Sequence, residues 1–441
     1  MRSNLRTWLG GCLTSLALAS LPVHPQTSDT SPVVSSANAS AAASSALIYS
    51  ASFRHSADFL AGVDPEFGFA RPSAVVKVRQ AGISLIRYPA SDLANTFHWQ
   101  RSVGPQNRRG LQAGGMAGAP APQESRFGPD EYGDLLDKTG TSGELVVNFG
   151  TGTAAEAADF VAYMAHPIGG GLVNGVDWAA RRAANHHPPA YPIAYVDVGM
   201  DLGAPADERG YWMQGVPVSI NAACAADKIS CLYAFGGATR FEKQPAVLPA
   251  DWRDGASLSN GDPQQSLYAR YAPVAAGSEI VMIDGAAWQG LSDLASAAAD
   301  AKVYTIDYQS GAVSFGDGVH GAIPPKGSRV SLTYTSGHHD GFVDYYRAIK
   351  AVNPKIRVCA AVQDDSFTRI MGAQHLYDCL QQQAGGNAGV GPPQAGGNAA
   401  EFSFRIAQAT PASTAAAALT QQRVNQHAGA NAPKVQLVLT D

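Results

Sequence analysis

Short apolar runs alternate with longer amphipathic ones from residue 47 onward, a rhythm that predicts repeated strand–helix units. "ALIYSASF" reads as the first strand, and "RPSAVVKVRQAG" as a helix opened by Pro72 and closed by Gly82. "ISLIRYP" and "GELVVNFG" are the next two strands. In "AAEAADFVAYMA", Ala157, Phe160, Val161 and Met164 fall on one stripe, as a helix packed on a sheet requires. "IAYVDVG" reads as a fourth strand. "DGFVDYYRAIKAVNP" is a helix that feeds the strand "IRVCAAV", and "LYDCLQQ" and "KVQLVLTD" read as two more strands.

Strands of parallel type, each joined to the next through a helix, predict an α/β fold of the (β/α)8 TIM-type barrel class. A doubly wound open sheet is the alternative, because strand order is not readable at this level. No G-x-G-x-x-G follows the first strand, and "GTGTAAEA" has the wrong spacing, so a dinucleotide site is disfavoured. Between about 212 and 336 the rhythm breaks into short alternating runs punctuated by Gly and Pro. Val330, Leu332 and Tyr334 point one way and Ser331 and Thr333 the other, a half-buried antiparallel strand. The expected organisation is therefore a barrel in two parts, 47–211 and 337–441, around an inserted β-rich module at 212–336. Within the module "FGDGVHG" reads as a tight turn, with a calcium or sugar loop as the alternative. Residues 384–400, rich in Gly, Asn and Pro, read as a flexible loop, and the seventh strand ends the chain, so the barrel is expected to be incomplete.

Ahead of the first strand, Arg2 and Arg6 precede the apolar stretch "WLGGCLTSLALASLPV", the pattern of a secretory signal peptide over 1–25. It is too short for a stable membrane span. Residues 26–46 form a low-complexity, disordered leader. The expected localisation is secreted or periplasmic. That setting permits a disulfide between Cys224 and Cys231, while Cys359 and Cys379 lie in apolar runs where free buried thiols are expected. Charge narrows the partners: 31 Lys and Arg stand against 36 Asp and Glu, with no basic stripe, so nucleic acid is not expected. Nothing has zinc-ligand spacing, no metal or cofactor is implied, and the oligomeric state is left open.

In a barrel the residues at the C-terminal ends of the strands converge on one mouth. Those ends carry Arg87 and Tyr88, Asn148, Met200 and Asp201, Gln363 with Asp364 and Asp365, Gln381 to Gln383, and Asp441. Amides, an arginine, a tyrosine and acids suit a neutral polyhydroxylated ligand, and a glycosidase needs two carboxyl groups flanking its bond, for which Asp201 and Asp441 are the candidates. For any one of these acids, a surface or capping role is equally compatible with the sequence.

"VVKVRQAGISLIRYPASDLANTFHWQRSVGPQNRRG" and "LVVNFGTGTAAEAADFVAYM" resemble the α-L-arabinofuranosidases of retaining glycoside hydrolase family 51. "YPIAYVDVGMDLG", "FVDYYRAIKAVNPKIRVCAAV" and "KVQLVLTD" are similar to later motifs of that family. The resemblance implies that Asp201 stands at the acid/base position and Asp441 at the nucleophile position, both glutamate in the family. Met200 stands where the family has a sugar-binding asparagine. Arg87 and Asn148 stand at sugar-binding or site-supporting positions, and Tyr88 and Gln381 join the substrate-binding set. "YPASD" departs from the family's "YPGGN" by two glycines. The family also continues beyond a seventh strand, so a divergent, C-terminally truncated member is expected.

Three classes stay open: a retaining glycosidase acting on arabinofuranosyl or similar linkages in polysaccharides, a catalytically inactive relative that binds carbohydrate, and a surface interaction scaffold.

Overall fold

The computed structural model describes residues 50–52, 70–89, 92–112, 123–200, 202, 211–220, 228–248, 258–362, 402–406 and 435–439. The expected signal peptide and leader, Asp201, Gln381, Asp441, Cys224 and Cys379 all lie outside them.

Seven strands form one sheet: β1 (Ser50–Ser52), β2 (Leu85–Tyr88), β3 (Ser142–Val147), β4 (Ile193–Val198), β5 (Arg357–Val362), β6 (Phe402–Ile406) and β7 (Val435–Leu439). Every neighbouring pair is parallel, and the spatial order equals the chain order. A doubly wound sheet reverses direction at a switch point, and no reversal occurs among these strands. The sheet is singly wound.

Helices α1 (Pro72–Gln80), α2 (Pro129–Thr139), α3 (Ala154–Ala165), α4 (Trp178–Ala184), α5 (Lys228–Phe235) and α6 (Phe342–Val352) connect the strands. The predicted stripe of α3 is buried at Ala157, Phe160, Val161 and Met164. Thr153 caps this helix by accepting from the Glu156 amide, which satisfies one of the free N–H groups of the first turn. Trp99 stacks on Phe160 and packs edge-on against Trp178, tying the loop after β2 to α3 and α4.

The sequence reading missed two elements. Helix α2 was not anticipated, because its acids Asp130, Glu131 and Asp134 are buried and mask the amphipathic pattern. Each has a partner: Asp130 takes the Gly104 amide and the Tyr163 hydroxyl, Glu131 pairs with Arg109, and Asp134 takes the Ala70 amide. The sixth strand of the sheet is "FSFRI"; "LYDCLQQ", Gln363, Asp364, Asp365 and Gln381 to Gln383 lie outside the described residues.

Residues 216–335 carry two further sheets. A five-stranded antiparallel sheet runs Ala286–Ala287, Ile280–Ile283, Val330–Thr335, Ala238–Pro245, Val216–Ser219. A four-stranded one contains Val303–Asp307, Ala312–Phe315 and Ser266–Tyr268. Val330, Leu332 and Tyr334 are buried and their alternates half-exposed. At "FGDGVHG", Asp317 accepts the amides of Val319 and His320, the geometry of a tight turn. Trp212 and α5 pack on the parallel sheet: Trp212 donates to the Phe149 carbonyl and Tyr233 to that of Val198. Cys231 is buried and disulfide-bonded, to a cysteine outside the described residues, whereas Cys359 is a free buried thiol. No helix among the described residues is long and apolar enough to cross a membrane.

Candidate functional site

Strand register decides which side chains meet. Arg87 on β2 lies opposite Glu144 on β3, and Asp197 on β4 lies between Val146 on β3 and Cys359 on β5. Side chains alternate with period two, so Arg87, Glu144, Asp197 and Cys359 share one face. Arg87 Nε sits 3.2 Å from Glu144 Oε1 and 3.6 Å from Asp197 Oδ2. The two carboxyls hydrogen-bond each other, and the Cys359 thiol bonds Asp197. Near the N-terminal end of the same face, Arg357 Nη1 donates to Tyr195 Oη at 2.9 Å.

Electrostatics assigns one proton to the carboxyl pair. Burial, then the neighbouring Asp197 charge, pushes Glu144 up to about 10, against the pull of Arg87. Burial also raises Asp197, while hydrogen bonds from Glu144 and Cys359 and the Arg87 charge pull it back. Glu144 therefore carries the proton and Asp197 the charge that Arg87 neutralises. Burial holds the Cys359 thiol well above its ordinary value, so it stays protonated and inert. The Glu144 side chain is 0% exposed and that of Asp197 7%. The cluster is a floor beneath the strand ends.

This floor gives a pH prediction. Glu144 titrates near 10 when folded and near about 4.3 when unfolded. Between those values the native state holds a proton the unfolded chain lacks. The stabilisation is fully present below the unfolded value and lost as pH rises toward the folded one, at up to about 1.4 kcal/mol per pH unit. Glu144→Gln removes that titration. Urea unfolding at pH 6 and pH 9 is expected to show a much smaller loss in the variant. Equal losses in the two proteins would defeat the assignment.

Above the floor, the chain leaves β4 through Gly199. Its φ is +77°, and a Cβ there would lie 2.5 Å from Leu202 Cδ1 and 2.9 Å from Phe149 Cβ. Only glycine fits this turn. Asn95, in the loop after β2, then brackets Met200: its Nδ2 donates to the Met200 carbonyl at 2.6 Å and its Oδ1 accepts the Met200 amide at 3.1 Å. Both bonds go to backbone, so they hold position 200 whatever its side chain.

The other expected substrate-binding residues are placed differently. Tyr88 is fully buried on the opposite face, packed against Phe97, Phe127 and Tyr132, with its hydroxyl on the Phe127 carbonyl. It is one residue past Arg87 and therefore points the opposite way, toward Tyr132 of α2. Arg87 itself is a strut between two carboxyls. Asn148 spends its amide on Thr151, accepting the Thr151 amide at 2.9 Å and donating to Thr151 Oγ1 at 2.8 Å. That makes it a turn-holder. Thr151 in turn meets His98 Nε2 at 3.2 Å, and His98 Nδ1 meets Glu156 Oε1 at 3.0 Å. Sequence reasoning missed Glu144, Asn95, His98 and Glu156. A charged residue inside the apolar run "GELVV" was the available signal for Glu144.

Known proteins match the part of the chain that builds this geometry. Residues 77–214 match the family described as the alpha-L-arabinofuranosidase 1 domain. This segment is related to the α-L-arabinofuranosidases. A probable alpha-L-arabinofuranosidase C of Aspergillus fumigatus is 30% identical over 143 residues, 32% of this chain and 26% of that protein. An intracellular exo-alpha-(1->5)-L-arabinofuranosidase of Streptomyces lividans is 34% identical over 104 residues, 23% of this chain and 15% of that protein. Among solved structures, the GH51 arabinofuranosidase of Xanthomonas axonopodis pv. citri overlaps 30% of this chain and 26% of its own, at 26% identity and a TM-score of 0.26. The chain thus spans about a quarter of the length of the curated arabinofuranosidase C proteins it matches. The arabinofuranosidase match includes Arg87, Glu144, Asp197 and Asp201 and ends at 214, so the antiparallel sheets and Asp441 lie beyond it.

Proposed function

We propose that the chain is an arabinofuranosidase-type glycoside hydrolase that cleaves arabinofuranosyl or similar linkages with retention, on a (β/α)8 barrel. The observation that carries this reading is the strand order. β4, inside the arabinofuranosidase match, ends three residues before Asp201, and β7, the seventh strand of the same sheet, ends two residues before Asp441. Register through β5 and β6 brings the ends of β4 and β7 to a common level, since Val198 aligns with Ala360, Phe404 and Leu437 in turn. On this reading Asp201 is the acid/base and Asp441 the nucleophile. Retention needs the two carboxyls about 5–5.5 Å apart, and two aspartates on a frame built for glutamates reach that separation only if the backbone has moved inward.

Hydrolysis of a panel of arabinofuranosides tests the proposal, with the anomeric form of the first product followed by NMR. An inverted product sinks the retaining mechanism. No turnover with sugar binding retained leaves the inactive, carbohydrate-binding alternative. Export belongs to the same proposal, motivated by Arg2, Arg6 and the apolar run behind them. N-terminal sequencing is expected to find a start near residues 19–26 in the exported protein; an intact Met1 in the cytoplasmic fraction would end that part.

A further inference from the structure

In the loops that follow β2 and β3, a hydroxyl, an imidazole and a carboxylate stand in one line. Thr151 Oγ1 lies 3.2 Å from His98 Nε2, and His98 Nδ1 lies 3.0 Å from Glu156 Oε1. Each member is held by its surroundings. Gln112, itself buried, pins the His98 backbone from both sides: it accepts the His98 amide at 3.1 Å and donates to the His98 carbonyl at 2.8 Å. The next residue, Trp99, stacks on Phe160 of α3 and donates to the Glu156 carbonyl at 3.1 Å. The β2 loop is thereby fastened over the first turn of α3, where Glu156 stands. Asn148 fixes Thr151, accepting its amide at 2.9 Å and donating to its hydroxyl at 2.8 Å. This turn closes only around a glycine, since a Cβ on Gly152 would lie 2.5 Å from the Asn148 carbonyl oxygen and 3.0 Å from Glu156 Oε2.

The hydrogen-bond roles follow from the groups themselves. An ionised carboxylate only accepts, so Glu156 draws the imidazole proton to Nδ1 and leaves Nε2 as an acceptor facing the Thr151 hydroxyl. Asn148 Oδ1 lies 3.3 Å from that hydroxyl and already accepts the Thr151 amide, so His98 is the closer and freer acceptor for the hydroxyl proton. A nucleophile within reach of a base, and a base oriented by an acid, is the arrangement that activates a hydroxyl. The line is open to a reactant: the His98 and Glu156 side chains are 25% and 19% exposed, and Thr151 is half-buried. His98, Gly150 and Thr151 also line a cavity of about 260 Å³, whose opposite wall runs from Tyr268 to Ala272. Pockets for drug-sized ligands run from about 300 to 1,000 Å³, so this volume suits a small acyl group and the atoms that carry it. The Gly150 amide, next to the nucleophile, has no hydrogen-bond partner among the described residues and is a backbone donor for a developing oxyanion.

We propose that Thr151, His98 and Glu156 form a second hydrolytic centre, one that cleaves small carboxylic esters carried on a sugar hydroxyl. Thr151 Oγ1 attacks the ester carbonyl carbon while His98 Nε2 takes the hydroxyl proton. The tetrahedral intermediate then breaks its bond to the alcohol oxygen, and His98 returns the proton to the departing alcohol. Water, giving a proton to His98, attacks the acyl-threonine, and the carboxylic acid leaves as the proton returns to Thr151. Glu156 is a positioning residue throughout. The sugar in this statement rests on the glycosidase reading above; the ester chemistry does not. The full chain with p-nitrophenyl acetate is expected to show turnover, and acid quenching followed by peptide mass spectrometry is expected to find an acetyl group on Thr151. Thr151→Val, which removes the hydroxyl, and His98→Gln are each expected to lose about 10²–10⁴-fold in rate. Thr151→Ser is expected to keep cleavage, and urea unfolding verifies the fold of each variant. Glu156→Gln is expected to lower kcat with KM unchanged. No turnover above the rate in buffer overturns the proposal. So does an unchanged rate in Thr151→Val or in His98→Gln, loss in Thr151→Ser, or an acetyl group found only elsewhere. Arabinofuranoside hydrolysis measured in parallel separates the two ideas. Absent ester cleavage with that hydrolysis intact counts against this centre alone. Ester cleavage without arabinofuranoside hydrolysis counts against the catalytic reading above and upholds this centre.

Discussion

Arg87→Met is expected to destabilise the protein by about 3–5 kcal/mol, the largest stability effect anticipated for one substitution here. The guanidinium lies between Glu144 and Asp197, both buried, and neutralises the one negative charge the pair carries. Methionine keeps much of the side-chain volume but leaves that charge uncompensated in a low-dielectric interior. Asp197 must then take up a proton or remain unpaired, and both outcomes are costly. Adding Asp197→Asn to Arg87→Met removes the charge as well and is expected to recover part of the loss. Urea unfolding of the three variants measures these differences. A loss below 1 kcal/mol for Arg87→Met, or no recovery in the double variant, would show that the ion pair is not what holds the floor together.

Asp201→Asn is expected to reduce hydrolysis of arabinofuranosides by about 10²–10⁴-fold, the range a general acid/base contributes. The loss should be largest on substrates with a poor leaving group, where protonation matters most. Asp201→Glu is expected to hold or raise the rate. The resemblance puts glutamate at this position, and aspartate is one methylene shorter, whereas a misplacement of about 1 Å costs roughly a hundredfold. The backbone just before Asp201 is fixed by the Gly199 turn and by two Asn95 bonds to Met200. The longer side chain therefore extends from an anchored base. Rates unchanged in Asp201→Asn would remove this residue from the mechanism.

Local rules found α1, α3 and α6 and most of the parallel strands, because proline starts, glycine stops and apolar periodicity act within a few residues. They failed at α2, where three buried acids are satisfied by Gly104, Tyr163, Arg109 and Ala70, residues distant in sequence. They also passed over the sixth strand, "FSFRI", which takes its place through pairing with β5 and β7.

The candidate site divides the same way. The sequence alone determined that Gly199, Met200 and Asp201 follow a β-branched strand, that Arg87 and Tyr88 end another, and that strand and helix alternate between them. It did not determine which face of those strands is which. Alternation identifies the inner side only when one side is wet, and here both sides of the central strands are buried. Tyr88 and Arg87 were therefore equivalent candidates until packing put one among aromatic rings and the other between two carboxyls. The pairing of Glu144 with Asp197 likewise exists only in three dimensions. Fifty-three residues separate them along the chain, and strand register alone makes them share a proton.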